Sequence, residues 1–146
     1  MLSIAAEADH ATAILGALPR RIHDVLDRPA RGLAGRPALI EDGATWTYRD
    51  LHRSVGQVAA ALRALGVRPG DRVMIVSENC IALAALLLAS SRIDAWSIVV
   101  NPRLSARELD QIREHSGARR VLFTTGISKE AANHASRYGA TGETLG

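Results

Sequence analysis

Arg72-Val73-Met74-Ile75-Val76-Ser77 carries four apolar residues in succession. A strand with one wet face would alternate apolar and polar, whereas a strand covered on both faces reads as a continuous apolar run, the pattern of a parallel sheet. Pro69-Gly70 makes the turn that leads into it. Downstream, Asn79 is placed to cap a helix from Ile81 to Ser91 that is apolar nearly all the way round, which predicts burial between the sheet and other structure. Ala95 to Val100 reads as the next strand, stopped by Asn101-Pro102 because proline brings no N–H to a ladder. Ser105 and Glu108 form a capping box, with Leu104 and Leu109 at the two positions of a hydrophobic staple, so a helix begins at Ala106 and Gly117 ends it. Arg120 to Thr124 is a further strand. Ser128 caps a short helix to Tyr138, which Gly139 stops.

Upstream, Leu51, Val55, Val58, Ala59, Leu62 and Leu65 repeat at helical spacing, with Arg49, Asp50, Arg53, Gln57 and Arg63 on the other side. Thr47 can cap this helix, with Asp50 in the box position, and Gly66 can take the left-handed conformation that ends it. Before it, Ala38-Leu39-Ile40 and Thr45-Trp46-Thr47-Tyr48 flank Asp42-Gly43, a dipeptide suited to a tight hairpin turn. Ile22, Val25 and Leu26 predict a short amphipathic helix after Pro19, and Arg28 to Arg36, with two Gly and a Pro, reads as a linker. The order is a β-hairpin followed by alternating helices and strands, an α/β fold with a mostly parallel sheet. The expected division is a helix and linker over 1–36, the α/β unit over 37–140 and an unassigned tail over 141–146.

The chain has 146 residues, 47% hydrophobic and 23% charged, enough aliphatic surface to exclude an intrinsically disordered chain. The longest uncharged run, Asn79 to Ser91, is too short to span a bilayer. No apolar stretch with a basic flank precedes Arg20, so a secretory signal is not expected. The single cysteine, Cys80, permits no internal disulfide and agrees with a reducing compartment, the cytoplasm. The net charge of +3 comes from 17 Arg and a single Lys set among 15 acids. With only Arg20-Arg21 and Arg119-Arg120 adjacent and aromatics at 3%, no nucleic-acid-binding face is expected. Nothing in the residues sets an oligomeric state.

Three features are candidates for chemistry. His10, His23, His52, His115 and His134 show no i, i+3 or i+4 ligand pair, and there is no second Cys. Cys80 stands at a helix start, where the dipole favours thiolate, but no His stands near it as a base, and a small packed residue is the favoured reading. Thr124-Thr125-Gly126-Ile127-Ser128-Lys129 follows a strand with hydroxyls, a glycine and a lysine, a placement that could cradle an anion. A single glycine gives little freedom to wrap phosphates, which favours a plain strand-to-helix turn. Neither standard nucleotide fingerprint occurs.

From Arg36 to about Ala140 the sequence resembles the amino-terminal portion of the AMP-forming acyl-CoA synthetases and adenylate-forming ligases. The stretches that carry this are Arg36-Pro37-Ala38-Leu39-Ile40, Thr45-Trp46-Thr47-Tyr48 leading to Leu51, Leu65-Gly66-Val67-Arg68-Pro69-Gly70-Asp71-Arg72-Val73, Val99-Val100-Asn101-Pro102-Arg103-Leu104 and Ser116-Gly117-Ala118-Arg119. The resemblance implies a partial amino-terminal subdomain of the adenylate-forming ligase fold. It also implies a full-length relative that uses ATP, Mg2+ and coenzyme A to activate a carboxylic or fatty acid through an acyl-adenylate. The phosphate loop, the acidic metal and ribose contacts and the catalytic lysine of that family all lie downstream of the matched region. Thr124 to Lys129 echoes the second half of the phosphate loop, but Leu122-Phe123 stand where Ser-Gly is needed. No catalytic, cofactor-binding or metal-ligating residue is therefore assigned in this chain. Asp94 stands where members commonly carry Gly, which predicts a local change of backbone, and Ala140 to Gly146 matches nothing, as in a truncated or frame-shifted reading frame. The rival readings are a stand-alone α/β binding or assembly module and a small nucleotide-binding protein that uses Gly126 and the helix start after it.

Overall fold

The computed structural model describes residues 12–142. Residues 12–17 are helical (α1), and a 3-10 turn follows at Ile22–Leu26. Then come α2 (Asp27–Gly32), the hairpin strands β1 (Pro37–Glu41) and β2 (Ala44–Thr47), and α3 (Tyr48–Ala64). The α/β part continues with β3 (Arg72–Val76), α4 (Ile81–Arg92), β4 (Trp96–Val100), α5 (Ala106–Ser116), β5 (Arg120–Phe123) and α6 (Lys129–Arg137).

Strands β4, β3 and β5 form a parallel sheet in that order, and the hairpin is a separate antiparallel pair. Val73, Met74, Ile75 and Val76 of the central strand are each 0% exposed, as the apolar run requires. The chain steps from β3 to β4 on one side and then returns past β3 to β5 on the other. Right-handed crossovers that run in opposite directions put their helices on opposite faces, and the packing follows. Val73 and Ile75 meet α3 and α4 on one face, together with Leu26, while Met74 and Val76 meet Leu109 of α5 on the other.

The local signals operate as expected from the sequence. Asp42 and Gly43 both have positive φ, 46° and 80°, closing the hairpin. Thr47 Oγ1 accepts the Asp50 N–H at 3.2 Å while the Asp50 carboxylate accepts the Thr47 N–H at 3.1 Å. The Thr47 hydroxyl also donates to that carboxylate at 2.6 Å, and this bond first, then the one from the Thr47 N–H, holds the Asp50 carboxyl below its ordinary pKa. Helix α3 ends with Gly66 at φ 80°, its N–H on the Arg63 carbonyl and the Val67 N–H on the Leu62 carbonyl.

Three expectations need correction. The stretch Arg28 to Arg36 is not simply a linker, because α2 occupies its first half. Pro29 lies in the first turn of that helix, where a missing N–H costs nothing, and its carbonyl accepts the Leu33 N–H at 2.7 Å. Second, the residue that caps α4 is Cys80, not Asn79. Extended backbone at Cys80 lets Sγ accept the Leu83 N–H at 3.3 Å, and the Glu41 carboxylate reaches from the hairpin to take the Ile81 N–H at 3.0 Å. Third, Asp94 leaves the backbone as a glycine would shape it. Its φ is 61°, the Asp94 N–H binds the Ser91 carbonyl, and the Ala95 N–H binds that of Ser90. Aspartate is among the few residues that tolerate this left-handed region, and its carboxylate pairs with Arg21.

Candidate functional site

In an open parallel sheet, ligands gather outside the carboxyl ends of the strands where the strand order reverses. Here that point lies between β3 and β5, and the two strands are followed directly by Ser77 and Thr124. Thr124 Oγ1 donates to Ser77 Oγ at 2.9 Å, and Ser77 Oγ donates to the Glu78 carbonyl at 2.6 Å. Both hydroxyl protons are thus spent within the chain. Cys80 Sγ lies 3.6 Å from Ser77 Oγ and is half-buried.

The Thr124–Lys129 loop is organised around its helix. Ser128 Oγ accepts the Ala131 N–H at 3.2 Å and donates to the Glu130 carboxylate at 3.0 Å, while the Ile127 and Ser128 N–H groups both turn onto the Thr124 carbonyl. The hydrogen bonds from its own backbone N–H and from Ser128 keep the Glu130 carboxyl below its ordinary pKa. Gly126 is not among the glycines of positive φ, so the loop does not use the freedom that made it a phosphate candidate.

The histidines stay apart. His23 Nδ1 is 3.0 Å from Ser91 Oγ, and His52 lies 3.9 Å from Asp27. His134 Nε2 is 3.1 Å from the carbonyls of both Pro102 and Leu104. Carbonyls only accept, so this nitrogen carries the proton and pins α6 to the loop after β4. Among the described residues no three His, Cys, Asp or Glu side chains gather to hold a metal ion.

Polar groups instead tie helices to their neighbours. Arg137 makes two 2.9 Å hydrogen bonds to the Asp110 carboxylate, which also accepts from the Tyr138 hydroxyl at 2.9 Å. The Arg137 bonds, then the Tyr138 bond, hold the Asp110 carboxyl below its ordinary pKa, and desolvation raises the Tyr138 phenol first of all causes. Arg119 and Arg120, one of the two adjacent basic pairs, donate through Nε to the Gly66 and Leu65 carbonyls at 2.8 and 2.9 Å. They close the carboxyl end of α3, a use that no local pattern signals because the partners are more than fifty residues apart.

Two grooves lie along the sheet edges. A groove of about 780 Å³ follows β5 and is lined in succession by Arg120 to Thr125, with Trp46 of the hairpin and Ala82 and Leu86 of α4 as its wall. Consecutive lining residues mark a strand edge, since a face would contribute alternate ones. Among the described residues no strand pairs with this side of β5. A second groove, of about 930 Å³, runs between the β4 edge and α5, and Trp96 stands 70% exposed beside it.

The family model described as AMP-binding enzyme matches residues 26–143. The chain is 38% identical over 108 residues to a Mycobacterium tuberculosis 3-[(3aS,4S,7aS)-7a-methyl-1,5-dioxo-octahydro-1H-inden-4-yl]propanoyl:CoA ligase, covering 74% of this chain and 21% of that protein. Its fold is similar to a benzoate CoA ligase of Burkholderia xenovorans, with TM-score 0.68 and 27% identity over 79% of this chain and 24% of that one. It is also similar to the amino-terminal subdomain of Klebsiella oxytoca NpsA, with TM-score 0.68 and 27% identity over 75% of this chain and 29% of that one. The chain therefore spans less than a third of each of these relatives.

Proposed function

We propose, because the chain belongs to the AMP-binding enzyme family, that it forms the amino-terminal portion of an ATP-dependent, AMP-forming acyl-CoA ligase and is inactive alone. Such a ligase activates a carboxylic or fatty acid through an acyl-adenylate and passes the acyl group to CoA. ATP, Mg2+ and CoA belong to the whole enzyme, and the residues described here do not fit them. The Thr124 hydroxyl is spent on Ser77 and that of Ser128 on the α6 cap, Gly126 lacks the backbone a phosphate cradle would use, and among the described residues no acidic cluster stands ready for the metal. Adenylation needs cations and amides aimed at a developing pentacoordinate phosphorus, and no side chain here is placed for that task. In this reading residues 37–140 are the ligase portion proper and 1–36 a lead-in, of which Leu26 reaches the core. The reducing compartment favoured by a single cysteine supports a cytoplasmic location.

The observation that carries the proposal is the groove along the free edge of β5, in a chain that covers 21% of its M. tuberculosis relative. An uncovered sheet edge is a surface that natural proteins pair or shield, and the rest of a ligase supplies the cover. The test is a graft in which residues 26–143 replace the matching segment of that relative. ATP-dependent acyl-CoA formation is expected from the graft and no pyrophosphate release from the isolated chain. A folded graft without activity overturns the assignment, and pyrophosphate release by the chain alone overturns its inactivity.

A further inference from the structure

The exposed apolar side chains are unevenly distributed. Ile14, Leu15, Leu18, Ile22, Val25 and Leu33 are each 49–68% exposed, and all precede the hairpin. Every residue from 12 to 22 is exposed. In the 3-10 turn, residues three apart share an edge. Ile22 and Val25 form its outer edge, while His23 and Leu26 form the inner one, with His23 on Ser91 and Leu26 in the core. Arg21 adds an ion pair to Asp94. The 3-10 turn is thus fastened to the body by its inner edge and offers Ile22 and Val25 to solvent, while residues 12–20 before it are exposed throughout.

The same stretch is basic, since residues 12–36 hold five arginines against Asp24 and Asp27. Arg20, Arg28 and Arg36 are exposed. Apolar and cationic groups presented together fit a surface that is negative outside and apolar beneath. We propose that residues 12–36 form an interfacial anchor that lays this chain on an anionic lipid surface. Among the described residues no helix is long and apolar enough to cross a membrane, so the contact is with the bilayer surface. A second copy fits less well, because it presents the same arginines to those of the first. This proposal does not depend on the ligase reading.

The test is sedimentation of the whole chain with phosphatidylcholine vesicles prepared with and without phosphatidylglycerol. Binding is expected only to the anionic vesicles and is expected to weaken with salt. Arg20→Gln with Arg28→Gln should weaken it on the order of 25-fold, and Leu15→Gln with Ile22→Gln by roughly 10-fold or more, with unchanged circular dichroism. Arg20→Lys with Arg28→Lys should bind as the parent does, because the attraction is to charge. Equal binding to both vesicle types, no binding at all, or neutral and polar variants that bind like the parent would overturn the proposal. A dimer dispersed by Leu15→Gln would also overturn it and assign the surface to a second copy. Loss of vesicle binding in a folded, active ligase graft that carries residues 12–143 would instead give the surface to the rest of the enzyme.

Discussion

The two faces of the sheet are held by different physics. On one, Val73 and Ile75 join a broad apolar cluster with Leu51, Val55, Val58 and Leu62 of α3 and Leu83 and Leu86 of α4. On the other, Met74, Val76, Val100 and Leu109 make a narrow cluster. There the helices are fastened by polar groups: the Ser105–Glu108 box, the Asp110–Arg137–Tyr138 clamp and the His134 bonds to the Pro102 and Leu104 carbonyls. Apolar burial is indifferent to pH and mild in its response to salt, whereas hydrogen-bonded carboxylates are not. The broad face is the stable platform, and the narrow face is the part conditions can loosen.

The largest expected effect tests the platform. Leu62→Ala, at a fully buried position, should cost about 3 kcal/mol in urea unfolding, and Leu109→Ala on the narrow face about 2 kcal/mol. A greater cost at Leu109 would reverse the comparison. Ser105→Ala removes the α5 cap and should cost about 1 kcal/mol, with hydrogen exchange rising in the first turn of α5 before it rises in α3. Acid sharpens the contrast further. The Glu108 and Asp110 carboxyls are held below their ordinary values of 4.5 and 3.8, Glu108 first by the Ser105 bond and Asp110 first by Arg137. A lowered folded pKa gives stability that is present above the unfolded value and is lost as pH falls through the folded one. Below about pH 4, amides of α5 and α6 should therefore lose exchange protection while those of α3 keep it. Asp50 in the α3 cap is lowered too, so simultaneous loss in α3 would show that caps rather than burial govern both faces. The smallest change is expected from Asp94→Gly, within about 0.5 kcal/mol of the parent, because relief of the left-handed backbone offsets the lost Arg21 pair.

What the sequence discloses about this fold is what lies within one turn of chain. Thr47 with Asp50, Ser105 with Glu108, Asp42-Gly43 and the glycines at 66 and 117 act across three or four residues, and their geometry can be read directly. The continuous run in β3 declares its double burial for the same reason. Pro29 misleads because a proline is a breaker in a helix interior and harmless in a first turn. Glu41 at the head of α4 and Arg119 and Arg120 at the end of α3 act over forty or more residues, through a topology that no window contains. The groove along β5 is illegible for a related reason. A strand's sequence gives its faces, but which of its edges is free depends on the order β4-β3-β5.

The left-handed Asp94 couples two positions far apart in the chain. An acid there is tolerable in the backbone but inferior to glycine, and its compensation is Arg21. A lineage that loses the arginine gains by drifting to glycine at 94, and one that has glycine is under no constraint at 21. Among relatives, the two sites are expected to change together, and an acid at 94 without a cation at 21 is expected to be the rarest combination of the four.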